Sequence, residues 1–307
     1  MKAADSGLVA SIRARLQNLA RDSGQNLEEL FYRYAIERFL YRLSRSRYHD
    51  FFVLKGGQVF AAWGVSLGRP TRDIDFYGKT TDTVENLVQV VKGICDQVIE
   101  ADGMVYDSGT VVGQLIEANT DNPGVRLNFW SWLGNARVRM QMDIGFSDVI
   151  TPKAISTIIP TLLDMPAPRM LLYPPETVIA EKLQAMVYLG EINSRMKDFY
   201  DIWLLSRRFD FDGAILQKAI VATFQNRKTP ISIDTPFAFT DQFAAQKQNQ
   251  WGSGFLGKLL TDPGELIDFH KVINDLQNFL NPPLSAAASG EIFDQVWKAG
   301  AGWYAKT

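Results

Sequence analysis

The sequence of 307 residues has little of the chemistry that many active sites use. It contains one cysteine, Cys95, and two histidines, His49 and His270. A single cysteine excludes an intramolecular disulfide framework and is typical of a reducing compartment. One cysteine and two histidines are also a poor supply of ligands for a zinc site, and they make a Ser-His-Asp triad less favoured. We therefore expect the chemistry to depend on carboxylates, lysine and a metal ion.

Long hydrophobic segments are also missing. The N-terminal sequence MKAADSGLVASIRARL has no apolar core of a signal peptide, and no uninterrupted apolar stretch is long enough to cross a bilayer. We expect a cytoplasmic protein with no membrane partner. The net charge of −2 gives no overall positive field that would attract nucleic acid, although a local basic patch is compatible with it.

Apolar periodicity predicts an α/β protein in two parts. The predicted strands are 51–54, 72–76, 104–107, 111–118, 124–132 and 137–146. The predicted helices are 8–20, Asn26 to Leu43, 58–63, 82–99, 176–189, 196–207, 212–225, 236–250, 252–260 and 265–280. A proline-rich, irregular segment at 151–175 indicates a boundary. We predict N-terminal helices and an α/β domain with a small mixed sheet over 1–165, and a helical domain over 166–307, with the chemistry in the cleft between them.

Two aspartates interrupt an apolar strand pattern in LKGGQVFAAWGVSLGRPTRDIDF, residues 54–76. Alternation places Asp73 and Asp75 on one face of the strand, with Ile74 and Phe76 toward the core. Two like charges this close repel, so keeping both ionised indicates a compensating cation. Oxygen ligands suit Mg²⁺, with Mn²⁺ as an alternative.

A third carboxylate, Asp143, lies on the polar face of the strand predicted at 137–146, and Asp148 is the alternative for this position. Three carboxylates from neighbouring strands can hold two metal ions about 3.5–4 Å apart, one activating an attacking hydroxyl and one neutralising the leaving pyrophosphate. For an isolated Asp-x-Asp, however, surface aspartates near a turn are the simpler interpretation.

The glycine pair before these aspartates favours the functional interpretation. N–H groups of a Gly56-Gly57 turn that opens a helix form an anion site, and the missing Cβ atoms let a triphosphate approach closely. Thr71 and Arg72, which lead into the strand, are further candidates for nucleotide binding. A Gly-Gly turn, a helix and then Asp-x-Asp on a strand resembles the pattern of the DNA polymerase β-like nucleotidyltransferases.

Lys182 lies on the apolar stripe of the helix predicted at 176–189. It either reaches solvent with its ammonium group or faces a cleft and holds a phosphate. Asp198 and Asp201 follow one turn apart on the next helix. Asp198 either pairs locally with Arg195 or orients Lys182 or the nucleotide, and spacing leaves both alternatives open.

The order of the motifs resembles the AbiEii/AbiGii nucleotidyltransferase toxins of type IV toxin–antitoxin systems. The likeness rests on ERFLYRLSRS (37–46), VLKGG (53–57), RPTRDIDF (69–76), AEKLQAM (180–186) and RMKDFYDIWLL (195–205). It implies a polymerase β-like domain followed by a helical C-terminal domain. The positions of the family's motifs fall, in order, on Gly56, Gly57, Asp73 and Asp75, then on Asp143, Lys182 and Asp198.

The resemblance also implies an activity and partners. A nucleoside monophosphate would pass from an NTP, with GTP or CTP favoured, to an acceptor, with release of pyrophosphate and with Mg²⁺ as cofactor. The 3′ end of tRNA is the favoured acceptor, and an AbiEi-type antitoxin and transcriptional regulator is the implied partner. The alternatives are nucleotidylation of a protein or small molecule, and a nucleotide-binding module without turnover.

A basic stripe on the second predicted helix has two interpretations. Arg38, Arg42 and Arg45 lie at helical spacing, with tyrosines between and beside them. Basic residues interleaved with aromatic rings are typical of RNA contact. A solvated helix face explains the same spacing.

Overall fold

The computed structural model describes residues 5–68, 71–116, 123–257 and 267–306. The chain divides into two units, one made of Met1–Ser147 with Ala154–Tyr173 and the other of Asp148–Lys153 with Pro174–Thr307. The predicted strand end at 117–118, the predicted helix end at 258–260 and the predicted helix start at 265–266 lie outside the described residues.

The first unit combines four helices and seven strands among its described residues. The helices are α1 (Ser6–Ser23), α2 (Leu27–Arg45), α3 (Gln58–Ala62) and α4 (Val84–Cys95), with a short 3-10 helix at His49–Phe51. The strands are β1 (Phe52–Lys55), β2 (Asp73–Gly78), β3 (Met104–Ile116), β4 (Gly124–Leu133), β5 (Ala136–Gly145), β6 (Ile155–Ile158) and β7 (Arg169–Leu172). The mixed α/β fold predicted from the sequence is confirmed. Asn26, where the second predicted helix begins, caps α2, because its side chain accepts a hydrogen bond from the Glu28 amide at 2.8 Å.

The seven strands form one mixed sheet in the order β3-β4-β5-β2-β1-β7-β6. The pairs β2–β5 and β1–β7 are parallel, and the other neighbours are antiparallel. One face is apolar and is covered by α2, whose Phe39 packs against Phe129 of β4 and Tyr106 of β3. The alternate residues of β2, β4 and β5 form the opposite, polar face.

The prediction that 151–175 is irregular was wrong. Strands β6 and β7 both lie within this segment, and β7 pairs with β1 through Val53–Leu171 and Leu54–Leu172. Prolines flank these four-residue strands without entering them. Four residues are too few for a periodic pattern in either strand. The pairing of β7 with β1 also joins segments that are far apart in the sequence, so only the folded sheet specifies it.

The second unit is mainly helical, as predicted. Its helices are α5 (Pro175–Leu189), α6 (Met196–Arg208), α7 (Gly213–Asn226), α8 (Asp241–Asn249) and α9 (Phe269–Ser289), with a π-helix at Gln250–Leu256 and 3-10 helices at Gly190–Ile192 and Phe237–Phe239. A three-stranded sheet of β8 (Phe211–Asp212), β9 (Gln295–Lys298) and β10 (Gly302–Ala305) was not predicted. None of the described helices combines the length and apolar character needed to cross a membrane.

Candidate active site

Strand pairing brings two of the predicted carboxylates side by side. In the parallel pair of β2 and β5, Asp75 lies opposite Asp143 and Asp73 lies opposite Gln141. Neighbouring strands are about 4.8 Å apart, and opposite residues share a face of the sheet. Asp73 is exposed, whereas Asp75 and Asp143 are half-buried. The other candidate for the third position, Asp148, belongs to the second unit and pairs with Arg227 at 2.5 Å.

The glycine turn after β1 fits closely against this carboxylate pair. Gly56 has φ 67°, in the left-handed region, and a Cβ atom there would collide with the Asp75 carboxylate. Gly57 is right-handed, and its Cβ would lie 2.7 Å from the Thr71 side chain. Successive residues of opposite hand point their N–H groups toward one concavity. The helix that follows, α3, has only five residues, so the local turn and not a long helix dipole favours an anion here.

Two polar groups line the approach to the turn. The hydroxyl oxygen of Thr71 is buried and, within the described part of the chain, has no hydrogen-bond partner. A buried polar atom of this kind requires an explanation, and a bound ligand is one. The Gln58 side chain holds the backbone in place, because its amide donates to the carbonyl oxygens of Thr71 at 3.0 Å and Asp73 at 3.3 Å.

Arg72 is positioned by α2. Its guanidinium lies 4.7 Å from the centre of the Tyr32 ring and 3.7 Å from Glu28, and its side chain is about half exposed. A stacked and partly exposed guanidinium can still offer donors to a phosphate.

Arg126 on β4 occupies the centre of the carboxylate cluster and was not predicted. It donates from Nε and Nη2 to the two oxygens of Asp143, at 2.8 and 2.7 Å. These hydrogen bonds raise the pKa of Arg126, and the charges of Asp143, Asp73 and Asp75 act in the same direction. Arg126 thus neutralises the charge of Asp143, and the charges of Asp73 and Asp75 act on it as well. Its alternation with the apolar residues of β4 was visible in the sequence, but its pairing with Asp143 was not.

The donor set suits a hard divalent ion that also binds substrate. No group of three His, Cys, Asp or Glu side chains among the described residues is arranged to hold a metal on its own. Mg²⁺ typically takes one or two carboxylates, together with water and substrate phosphates. Asp73 and Asp75 on one strand satisfy that smaller requirement, while both oxygens of Asp143 are engaged by Arg126.

Lys182 and its predicted partners form a buried ion cluster within the second unit. Its ammonium lies 2.6 Å from Asp198 and 2.8 Å from Asp201, and both carboxylates are only 1% exposed. Burial alone would lower the pKa of Lys182, but Asp201 and Asp198 outweigh it and raise the pKa. Burial alone would likewise raise the pKa of Asp198, which Lys182 and Arg195 hold below its ordinary value. The pairing of Lys182 with Asp198 is present, and a contact of Lys182 with phosphate stays a prediction.

The basic stripe on α2 is not a surface stripe, so both interpretations of it as a continuous exposed face were wrong. Arg38 is 1% exposed and donates to the carbonyl oxygen of Pro166 at 2.6 Å. Arg42 is 6% exposed and forms a bidentate pair with Asp102 at 2.5 and 2.9 Å. Only Arg45 of the three is exposed. These arginines tie α2 to neighbouring segments of the first unit.

Comparisons with known proteins place this arrangement in a class. The sequence model of the nucleotidyl transferase AbiEii toxins of type IV toxin–antitoxin systems matches residues 38–279. The matched range includes the glycine turn, the carboxylates on β2 and β5, and the Lys182 cluster. The chain is a nucleotidyltransferase. Within that class it belongs to the AbiEii toxin family.

Two solved structures from Helicobacter pylori are similar to the chain. One is described as a candidate nucleotidyltransferase and has 15% sequence identity and a TM-score of 0.42, over 82% of this chain and 92% of that chain. The other, JHP933, has 14% identity and a TM-score of 0.41, over 82% of this chain and 89% of that chain. No curated protein sequence matches the chain.

Proposed function

We propose that this toxin transfers a nucleoside monophosphate from an NTP to an RNA hydroxyl, with the 3′ end of tRNA as the favoured acceptor and GTP or CTP as the favoured donor. The observation that carries the proposal is the pairing of Asp75 with Asp143 directly against the Gly56 turn. The glycine turn is the proposed anion site, and a Cβ atom at Gly56 would touch the Asp75 carboxylate. Asp143 lies beside Asp75 on the next strand. The antitoxin partner that the family implies would be an AbiEi-type regulator.

The triphosphate would bind at the glycine turn. The backbone N–H groups of Gly56 and Gly57 supply donors, and the unpartnered hydroxyl of Thr71 supplies another. Arg72 adds a positive charge at the rim, where its stacking on Tyr32 limits the entropy lost on binding. Glycine is required because a Cβ at position 56 would occupy the space of the Asp75 carboxylate.

Asp73 and Asp75 would hold Mg²⁺, with Mn²⁺ as an alternative; when bound, this ion would neutralise charge on the phosphates and lower the pKa of the attacking hydroxyl. Arg126 holds the neighbouring Asp143 carboxylate in place at 2.7 Å. Each Asp143 oxygen accepts one bond from Arg126 and retains a further lone pair.

The reaction exchanges one phosphorus–oxygen bond for another. The acceptor oxygen bonds to the α-phosphorus, the bond from that phosphorus to the bridging oxygen of the β-phosphate breaks, and pyrophosphate leaves. The proton of the acceptor hydroxyl passes to a carboxylate, and Asp143 is the residue we assign to this role. Positioning and charge neutralisation supply most of the acceleration in such transfers.

Label transfer tests the proposal. Each of four α-labelled NTPs is incubated with Mg²⁺, total RNA and the protein, and label is followed in RNA and in protein. We expect label in RNA with wild type and with Asp82→Asn, an exposed control, and none with Asp75→Asn at unchanged thermal stability. Label in protein would replace the RNA acceptor by a protein acceptor. NTP binding without label or pyrophosphate release would contradict the transferase activity.

A further inference from the structure

The polar face of β4 and β5 continues from the carboxylates as a row of aromatic and basic side chains. In the β4–β5 ladder, Asp143 lies opposite Arg126, and the next three same-face pairs are Gln141–Asn128, Arg139–Trp130 and Arg137–Trp132. We call the six residues of these last three pairs the β4–β5 platform. From Asp143 to Arg137 the face extends over six residue steps, about 20 Å.

The platform lies on the side of the sheet that the helices of the first unit leave uncovered. Phe129, between two platform residues, points to the other face and packs against Phe39 of α2. Gly113, opposite Leu127 in the ladder, lies on that same face and approaches the side chain of Val84 of α4. On the platform itself Arg137 and Arg139 are exposed, and the remaining four residues are half-buried.

The side chains on the platform form a layered surface. The guanidinium of Arg137 lies 3.4 Å from the centre of the Trp130 ring, which is a stacking distance. Arg139 donates to the side-chain oxygen of Asn128 at 3.1 Å. Gln141 lies 3.4 Å from the Asp143 carboxylate. The two tryptophan rings and two guanidinium groups thus form one end of the platform, and the amides of Asn128 and Gln141 lie between them and Asp143.

This combination suits single-stranded RNA. Splayed bases stack on aromatic rings and on arginine planes, and their edges accept and donate hydrogen bonds to amides. The exposed cations attract phosphates in a protein whose net charge is −2. One acidic residue, Asp107 of β3, lies opposite Trp130, and its carboxylate accepts from the Gly109 amide at 3.0 Å. Two exposed arginines against this single carboxylate leave the platform end of the face positive, while the carboxylates lie at its other end.

We propose that the β4–β5 platform binds the single-stranded RNA segment that leads to the acceptor hydroxyl, an inference that rests on the proposed function. Bases stack on Trp132 and on the Trp130–Arg137 pair, and Arg139 contacts the backbone. The strand then runs along β4 and β5 toward Asp143, which places the terminal nucleotide at the carboxylates.

Binding is measured separately from chemistry. The full chain, without NTP, is titrated into a fluorescent single-stranded RNA of about ten nucleotides, within the ~4–16 nucleotides that single-strand surfaces occupy. Fluorescence anisotropy gives Kd at several salt concentrations. Trp132→Val, which keeps a residue suited to a strand, is expected to weaken binding by roughly 5- to 150-fold, the range of one base stack. Trp132→Phe, which restores a flat ring, is expected to recover most of that loss.

A charge pair of variants tests the backbone contact. Arg139→Glu is expected to reduce the slope of log Kd against log salt by about 0.7, the value for one phosphate of a single strand. Arg21→Glu, a reversal at a 73% exposed arginine at the end of α1, is expected to leave the slope unchanged. Circular dichroism and Tm confirm that each variant is folded.

The outcomes separate this inference from the proposed function. RNA binding that depends on Trp132 and Arg139 supports the platform, even if no label reaches RNA, in which case the acceptor alone was wrong. Label transfer to RNA with normal binding in both variants overturns the platform and leaves the proposed function standing. No RNA binding by wild type also overturns it. So does equally tight binding of a poly-glutamate peptide that is unaffected by Trp132→Val, which would assign the face to an acidic protein partner.

Discussion

Replacing Lys182 by methionine is expected to destabilise the second unit strongly. The Lys182 side chain is 15% exposed, and its ammonium lies within 2.8 Å of two carboxylates whose side chains are each 1% exposed. Methionine fills a similar volume but leaves two buried negative charges without their shared cation. Removing one partner of a buried ion pair costs about 3–5 kcal/mol. For a unit of this size that corresponds to a Tm lower by roughly 6–20 °C.

The two carboxylates are not equivalent once Lys182 is gone. Arg195 still lies 2.7 Å from Asp198 and offsets part of its charge, whereas Asp201 loses an ammonium that lies 2.8 Å from it. The double variant Lys182→Met/Asp201→Asn is therefore expected to recover about 1–3 kcal/mol relative to Lys182→Met alone. The control is Lys197→Met, at an exposed lysine of α6, the helix that carries Asp198 and Asp201. It is expected to change stability by less than about 0.5 kcal/mol.

The deficit of Lys182→Met depends on pH in a defined direction. In wild type the pKa of Asp198 is lowered, so its contribution to stability is present above its unfolded value of 3.8 and is lost as pH falls through the folded pKa. Without Lys182, the cation that lowers the pKa of Asp198 most is gone and burial raises this pKa, so the variant loses less stability than wild type as pH falls. Urea unfolding at pH 7 and near pH 4 should show the deficit shrinking at the lower pH. A deficit as small as that of Lys197→Met, or one independent of pH, would refute the buried cluster.

Two further predictions concern the first unit. Gly56→Ala is expected to lower NTP binding and transfer, because a Cβ atom there displaces the Asp75 carboxylate. The control is Gly64→Ala, at a glycine with φ 69° and open space around it. This control is expected to lose only about 1–2 kcal/mol of stability in urea unfolding and to keep activity. Burial raises the pKa of Glu37 to about 7 against a lowering hydrogen bond from Leu162. The folded state then binds more protons than the unfolded one between pH 4.5 and 7, and stability falls as pH rises through that window. Glu37→Gln should therefore be more stable than wild type above pH 7, by on the order of 3 kcal/mol, with the gap closing toward pH 4.5; a gap that is constant with pH would contradict this.

Arg126 changes how the carboxylate cluster is understood. The sequence indicates that paired aspartates need a cation, and a metal is the natural expectation. The folded chain supplies a guanidinium from the neighbouring strand, bound to Asp143 at 2.7 and 2.8 Å. Arg126 thus offsets one of the three carboxylate charges, those of Asp73, Asp75 and Asp143, and the negative charge that is left favours a cation from the ligand side.

The features that depend on local geometry can be predicted from the sequence. Period-2 alternation placed Asp73 and Asp75 on one face of β2, the glycine pair marked the turn after β1, and 3.6-residue periodicity located the long helices. These features follow from the backbone geometry of a few consecutive residues. The order of the motifs along the chain indicated the family.

Contacts between residues that are far apart in the sequence depend on the tertiary fold. The register of β5 on β2 placed Asp143 opposite Asp75, and the register of β4 on β5 brought Arg126 to the same point and built the platform beside it. Arg42 lies on an apparent surface stripe in the sequence, but in the structure it is buried and pairs with Asp102. Each of these depends on contacts between segments far apart in the chain, and a local sequence pattern carries no information on register or on what covers a helix face.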